Sequence, residues 1–224
     1  MAQETFAQRH LDPGDRLAEI LCGLIMVLTF TLTAGLEVGS GEGAVRVLLV
    51  AAIGCNVAWG IIDGVVYVLY CVSQRSQKAR LAMGVQAAPD DRAALDLLRD
   101  YYGPELLKVA ATQDRAAQDE LFLALRRYLK VATIPAMRVQ RDDLLGAVAI
   151  FWLELVCCLP GALPFLFIQD AVWALHVSNA ILIGLLFVAG YTWARYTGTR
   201  RLRAGFFMAG LGVALVGVAT LLGG

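Results

Sequence analysis

Five stretches of this 224-residue chain are each apolar for about the length a helix needs to cross a bilayer, and few folds accommodate that pattern. They cover residues 17–36, 47–72, 144–168, 171–194 and 204–222. In hydrocarbon the backbone must satisfy its own polar groups, so a span is either a helix or a strand of a closed barrel. Barrel strands alternate apolar and polar residues over about ten positions. These runs are continuous and rich in Leu, Ala and Gly. With 58% hydrophobic and 17% charged residues, the chain also lacks the polar surface to close a soluble domain of its length. The expectation is an all-α membrane protein with five transmembrane helices. The first run does not read as a cleavable signal, because it is too long, has Glu19 at its head and leads to no small-residue cleavage site.

Lys and Arg beside spans are retained in the cytoplasm. With the N-terminus inside, Arg9 and Arg16 precede the first span, twelve Lys and Arg occupy residues 73–143, and Arg195, Arg200, Arg201 and Arg203 join the fourth span to the fifth. Arg46 alone falls outside. Five spans then put the C-terminus on the opposite side. The formal net charge of +0 conceals this asymmetry. Topology accounts for the basic loop, and no nucleic-acid partner is implied. No targeting peptide is evident, so a bacterial-type plasma (inner) membrane is expected.

The chain therefore divides into an N-terminal segment with the first two spans (1–72), a cytoplasmic helical module (73–143) and three further spans (144–224). In the module, "SQRSQKARLAMG" is expected to continue the second span as a helix. A short helix follows over "APDDRAALDLLRDYYG", ended by Gly103 and Pro104, and then an amphipathic helix over about 114–131 with Leu121, Phe122, Leu125, Tyr128 and Leu129 on one face. Helices this short bury too little area to stand alone, so the module is expected to pack on itself, on the membrane face or on a second subunit. "GSGEG" at 39–43 reads as a tight outer hairpin.

Ionisable residues inside spans are expensive and therefore informative. Asp63 lies well within the second run, and a carboxylate there must face a protein interior or a water-filled path, take a proton, or find a partner. Asn56, two helical turns earlier, shares its face with Trp59 and Gly60, so Asn56 and Asp63 can line one path. Glu154 is the second intramembrane acid. It can pair with a polar residue on another helix to neutralise a divalent ion, or serve as a structural hydrogen-bonder. Glu19, nearer the cytoplasmic end, is a candidate entry ligand or a solvated interfacial acid. Met26, seven residues beyond Glu19, offers a thioether on the same face, although a lone Met in a span more often packs than ligates. His176 and Asn179 begin the fourth span, where a helix–helix hydrogen bond is favoured over a release site. Among five cysteines, Cys22, Cys55, Cys157 and Cys158 fall in spans and Cys71 at a span end, with no CxxC pair. They read as small packing residues rather than thiolate ligands. Gly205 with Ala209, and Gly210 with Ala214, permit close helix approach. No P-loop, GxSxG, HExxH or dinucleotide-binding pattern occurs, so no enzyme is expected.

Two spans, a helical module and three spans, together with "EILCGLIMVLTFTLTAGL", "AAIGCNVAWGIIDG", "LPGALPFLF", "SNAILIGLLFVAGYTWARYTG" and "FFMAGLGVALVGVATLLGG", resemble the vacuolar iron transporter family over nearly the whole chain. The resemblance implies a homodimer whose first spans line a central path, and proton-coupled export of ferrous iron or manganese. It also implies a cytoplasmic domain that collects metal through clustered glutamates. The family's Asp-Gly pair midway along the first span corresponds here to Met26 and Val27. Its second-span Glu corresponds to Asp63, and "SQRSQKARLAMGVQA" carries no acid where the family has a glutamate-rich helix. The expected function is a proton-coupled antiporter exporting Fe2+ or Mn2+ from the cytoplasm. Asp63, Asn56, Glu154 and Glu19 would lie on the path, and Asp63, Met26 and Glu19 would ligate the metal. No permanently bound cofactor is expected. The partners are the lipid bilayer, a second copy, the divalent cation and protons. The competing expectation is a non-transporting scaffold or sensor that keeps this architecture and works through its module.

Overall fold

A computed structural model describes residues 5–38, 43–109 and 114–223, and every regular element among them is a helix. In chain order these are α1 (Phe6–His10), α2 (Pro13–Val38), α3 (Ala44–Ala87), α4 (Asp91–Val109), α5 (Arg115–Val131), α6 (Arg141–Ala162), α7 (Pro164–Phe167), α8 (Ala171–Thr197) and α9 (Arg201–Gly223). Four are long and apolar enough to cross a membrane: α3 over Ala52–Ala87, α6, α8, and α9 over Arg201–Leu221. They carry the second to fifth apolar runs, as an integral membrane protein requires. The first run falls in the 26-residue α2. Of the expected hairpin at 39–43, all but Gly43 lies outside the described residues.

The chain forms two compact units, Met1–Val68 with Arg141–Gly224, and Leu69–Gln140. In the first, α2 supplies Leu24, Val27 and Leu28 to a core completed by Ala52 of α3, Cys158 of α6, Leu182 and Leu186 of α8, and Met208 of α9. Small residues set the close approaches. A Cβ on Gly190 of α8 would come within 2.5 Å of the Ala204 carbonyl oxygen, and one on Gly205 would press the Phe187 ring at 2.7 Å. Gly210, expected to pack in the same way, has nothing within 4 Å of where its Cβ would stand.

The third run is not one continuous helix. Pro164 has no N–H to extend α6, which ends at Ala162, and it opens the short α7 instead. The break is pinned from α8, where Ser178 Oγ donates to the Gly161 carbonyl at 2.7 Å. The five-residue α1 had no counterpart among the expected elements. Its Thr5–Gln8 capping box is closed by the Thr5 N–H donating to Gln8 Oε1 at 2.8 Å, and Leu11 just beyond it buries against Ala149 and Ile150 of α6.

In the second unit, the C-terminal part of α3 packs with α4 and α5 around Val85, Ala94, Leu98 and Phe122. Gln86 Nε2 donates to the carbonyls of Leu129 and Ala132 at 2.8 and 3.1 Å. Buried Arg126 on α5 pairs with Asp91 on α4, and Arg99 pairs with Asp119 at 2.5 Å. Asp114 caps α5 by accepting from the Ala116 and Ala117 N–H groups. The expected end of α4 at Gly103 and Pro104 is corrected: the helix runs through both to Val109. Leu106 beyond the proline packs on the core of this unit, and that burial holds the last turn in place.

Candidate metal centre

Three carboxylates from three helices converge. Glu19 of α2, Asp63 of α3 and Glu154 of α6 each offer one oxygen, and these oxygens all lie within 4.8 Å of one another. Glycines make the convergence possible by letting α2 and α3 both close on α6. A Cβ on Gly23, one turn beyond Glu19, would stand 3.5 Å from Glu154 Cα and 3.1 Å from Cys157 Cβ. On α3 a Cβ at Gly60 would stand 3.2 Å from Glu154 Oε2, and one at Gly64 3.2 Å from the Ala147 carbonyl oxygen. Gly60 and Gly64 flank Asp63 in sequence, so the same approach that seats α3 on α6 brings its acid to Glu154. One turn further, Tyr67 covers Gly146, whose missing side chain leaves room for the ring.

The electrostatics of this cluster are unbalanced. Glu154 is fully buried, and neither of its oxygens receives a hydrogen bond; Glu19 Oε2 is likewise buried without a donor. Two ionised carboxylates at this separation repel by about 3–4 kcal/mol at an effective dielectric near 20. Such a set stays together only with cations among its oxygens, whether metal ions or protons. An all-oxygen donor set suits hard or borderline divalent ions.

The other expected site residues take different places. Asn56 is fully buried; its Nδ2 donates to the Ala52 carbonyl at 3.1 Å, and its Oδ1 has no donor. Met26 stands one turn beyond Cys22 on α2. It lines a groove of about 510 Å³ between α2 and α3, together with Cys22, Thr29, Cys55 and Trp59. Helical phase explains the continuity: Cys22 and Met26 follow Glu19 on one stripe of α2, and Trp59 and Cys55 precede Asp63 on one stripe of α3. His176 is exposed and meets Trp173 edge-on at 6.4 Å. The helix–helix hydrogen bond expected near the start of α8 is made by Ser178, while buried Asn179 keeps an unpartnered Oδ1.

Glu154, equally readable from sequence as a structural hydrogen-bonder, is one of the three clustered acids. The available signal was the set of glycines, Gly23, Gly60 and Gly64, each one turn or less from an intramembrane acid. A search of protein families and of curated proteins returns no match to the chain.

Proposed function

We propose that the chain is a divergent member of the vacuolar iron transporter family, a proton-coupled secondary transporter that exports a divalent cation, Fe2+ or Mn2+, from the cytoplasm. The observation that carries this reading is the meeting of Glu19, Asp63 and Glu154 inside a bundle of apolar helices, with Glu154 buried and lacking any donor. A divalent ion neutralises two carboxylates and displaces the protons they held. When the ion leaves, protons return, which is the elementary exchange an antiporter needs. Asn56 Oδ1 and the Met26 thioether stand along the same helices as further oxygen and sulfur donors for the ion on its way.

In this proposal α2 is a fifth span, as its 26 residues allow. The N-terminus and the unit Leu69–Gln140 are cytoplasmic, the C-terminus lies across a plasma membrane, and two copies form the working particle. The test is cation-dependent thermal stabilisation of the purified chain. Mn2+ at about a hundred times its Kd should stabilise the native protein by roughly 2.7 kcal/mol, and Asp63→Asn and Glu154→Gln should each abolish the shift. Equal shifts in all three proteins, or none in any, would count against the reading.

One observation favours the alternative of a scaffold or sensor acting through Leu69–Gln140. Leu121, Tyr128 and Val131 of α5 stand exposed on that unit, as a surface for a partner would. A scaffold would show no response to cations.

A further inference from the structure

The hairpin of α8 and α9 carries an unbalanced charge of the opposite sign. No Asp or Glu occurs after Asp170, yet Arg195, Arg200, Arg201 and Arg203 gather at the end where the two helices join. Among the described residues none of these arginines forms an ion pair with a carboxylate. Arg201 lies over the Tyr191 ring, 5.9 Å from its centroid. Arg200 and Arg203 face a cavity of about 650 Å³ whose remaining wall includes Trp193, Thr197, Phe207 and Met208. The turn that shapes it depends on Gly198, whose φ of 68° places the chain in the left-handed region as α8 ends.

Each part of this cavity has a chemical preference. Two guanidinium groups at its rim suit a phosphodiester, which they can hold by charge-assisted hydrogen bonds. Indole, phenyl and thioether groups suit hydrocarbon. The cavity lies where α8 and α9 join, at the ends of two apolar helices each long enough to cross a membrane, which in a bilayer is the boundary of hydrocarbon and water. A ligand that is anionic at one end, apolar at the other and abundant at that boundary is an anionic phospholipid. We propose that this cavity binds the headgroup and first acyl methylenes of an anionic phospholipid. The inference is independent of transport, since none of the three clustered acids lies on α8 or α9.

A free phosphate shares the headgroup chemistry, so the test separates the two. Thermal unfolding of the detergent-solubilised full chain is followed during titration with short-chain phosphatidylglycerol, phosphatidylcholine of the same chain length, and inorganic phosphate. Phosphatidylglycerol alone should give a saturable stabilisation. Its apparent affinity should fall by roughly thirtyfold in R200Q/R203Q, taking about one phosphate contact's worth for each arginine. R200K/R203K, which keeps the charge, should recover most of the loss, and Arg195→Gln, outside the cavity wall, should behave as the native chain. Both cavity arginines are exposed, so these substitutions leave the core intact. Equal stabilisation by phosphatidylcholine, a full shift from inorganic phosphate alone, or an undiminished response in R200Q/R203Q would overturn the proposal.

Discussion

At the scale of single residues, the cost of burying a charge is what singles out the site. Asp63 is conspicuous in the sequence because an unpaired carboxylate in hydrocarbon is expensive, and the same argument reaches Glu154 and Glu19. The sequence suggests that the three share one path but not how closely they meet, because helical phase fixes which residues share a face and not which face of another helix lies opposite. Met26 illustrates the difference: it shares a stripe of α2 with Glu19, and it lines the groove between α2 and α3. Glu154 yields a sharp prediction. In Glu154→Gln the amide can donate to Asp63 or Glu19 without the proton that the cluster must take up when no metal ion is bound. The cation-free protein should therefore be more stable by about 1–3 kcal/mol, while its response to Mn2+ disappears. Thermal unfolding with and without the ion measures both. A cation-free Tm at or below the native value would mean that Glu154 already has a satisfied partner.

At the scale of elements, four of the five apolar runs fall on helices long and apolar enough to cross a membrane, and tertiary packing decided the details. The α4 helix runs through Gly103 and Pro104 because Leu106 beyond them has a core to join, and pattern reading within one helix does not see that core. Small residues four apart were equally ambiguous. Gly190→Ala would force a methyl group against the Ala204 carbonyl and should cost about 1–3 kcal/mol. Gly210→Ala meets nothing and should be neutral, or gain up to about 1 kcal/mol from helix propensity. Comparing the two by thermal unfolding checks the α8–α9 packing directly. Asp114→Ala should cost roughly 0.5–2 kcal/mol by removing the acceptor for two α5 amides, read as a lower denaturation midpoint of the unit Leu69–Gln140.

At the scale of the whole molecule, the chain divides into two compact units, Met1–Val68 with Arg141–Gly224, and Leu69–Gln140. The sequence marks this division by a shift from continuous apolar runs to amphipathic helices. All three acids belong to the first unit. Phe122→Ala, which empties the centre of the second, should therefore destabilise that unit by about 3–5 kcal/mol and leave the Mn2+ dissociation constant unchanged. A large change in that constant would place part of the cation site in the second unit.

In the proposed mechanism Glu19, Asp63 and Glu154 carry a divalent ion against protons. The most direct test is uptake of Fe2+ and Mn2+ into proteoliposomes under an imposed pH gradient, comparing the native chain with Asp63→Asn and Glu154→Gln. Flux should require the gradient and be lost in both variants. Flux that persists in the variants, or none from a folded native chain, would contradict it.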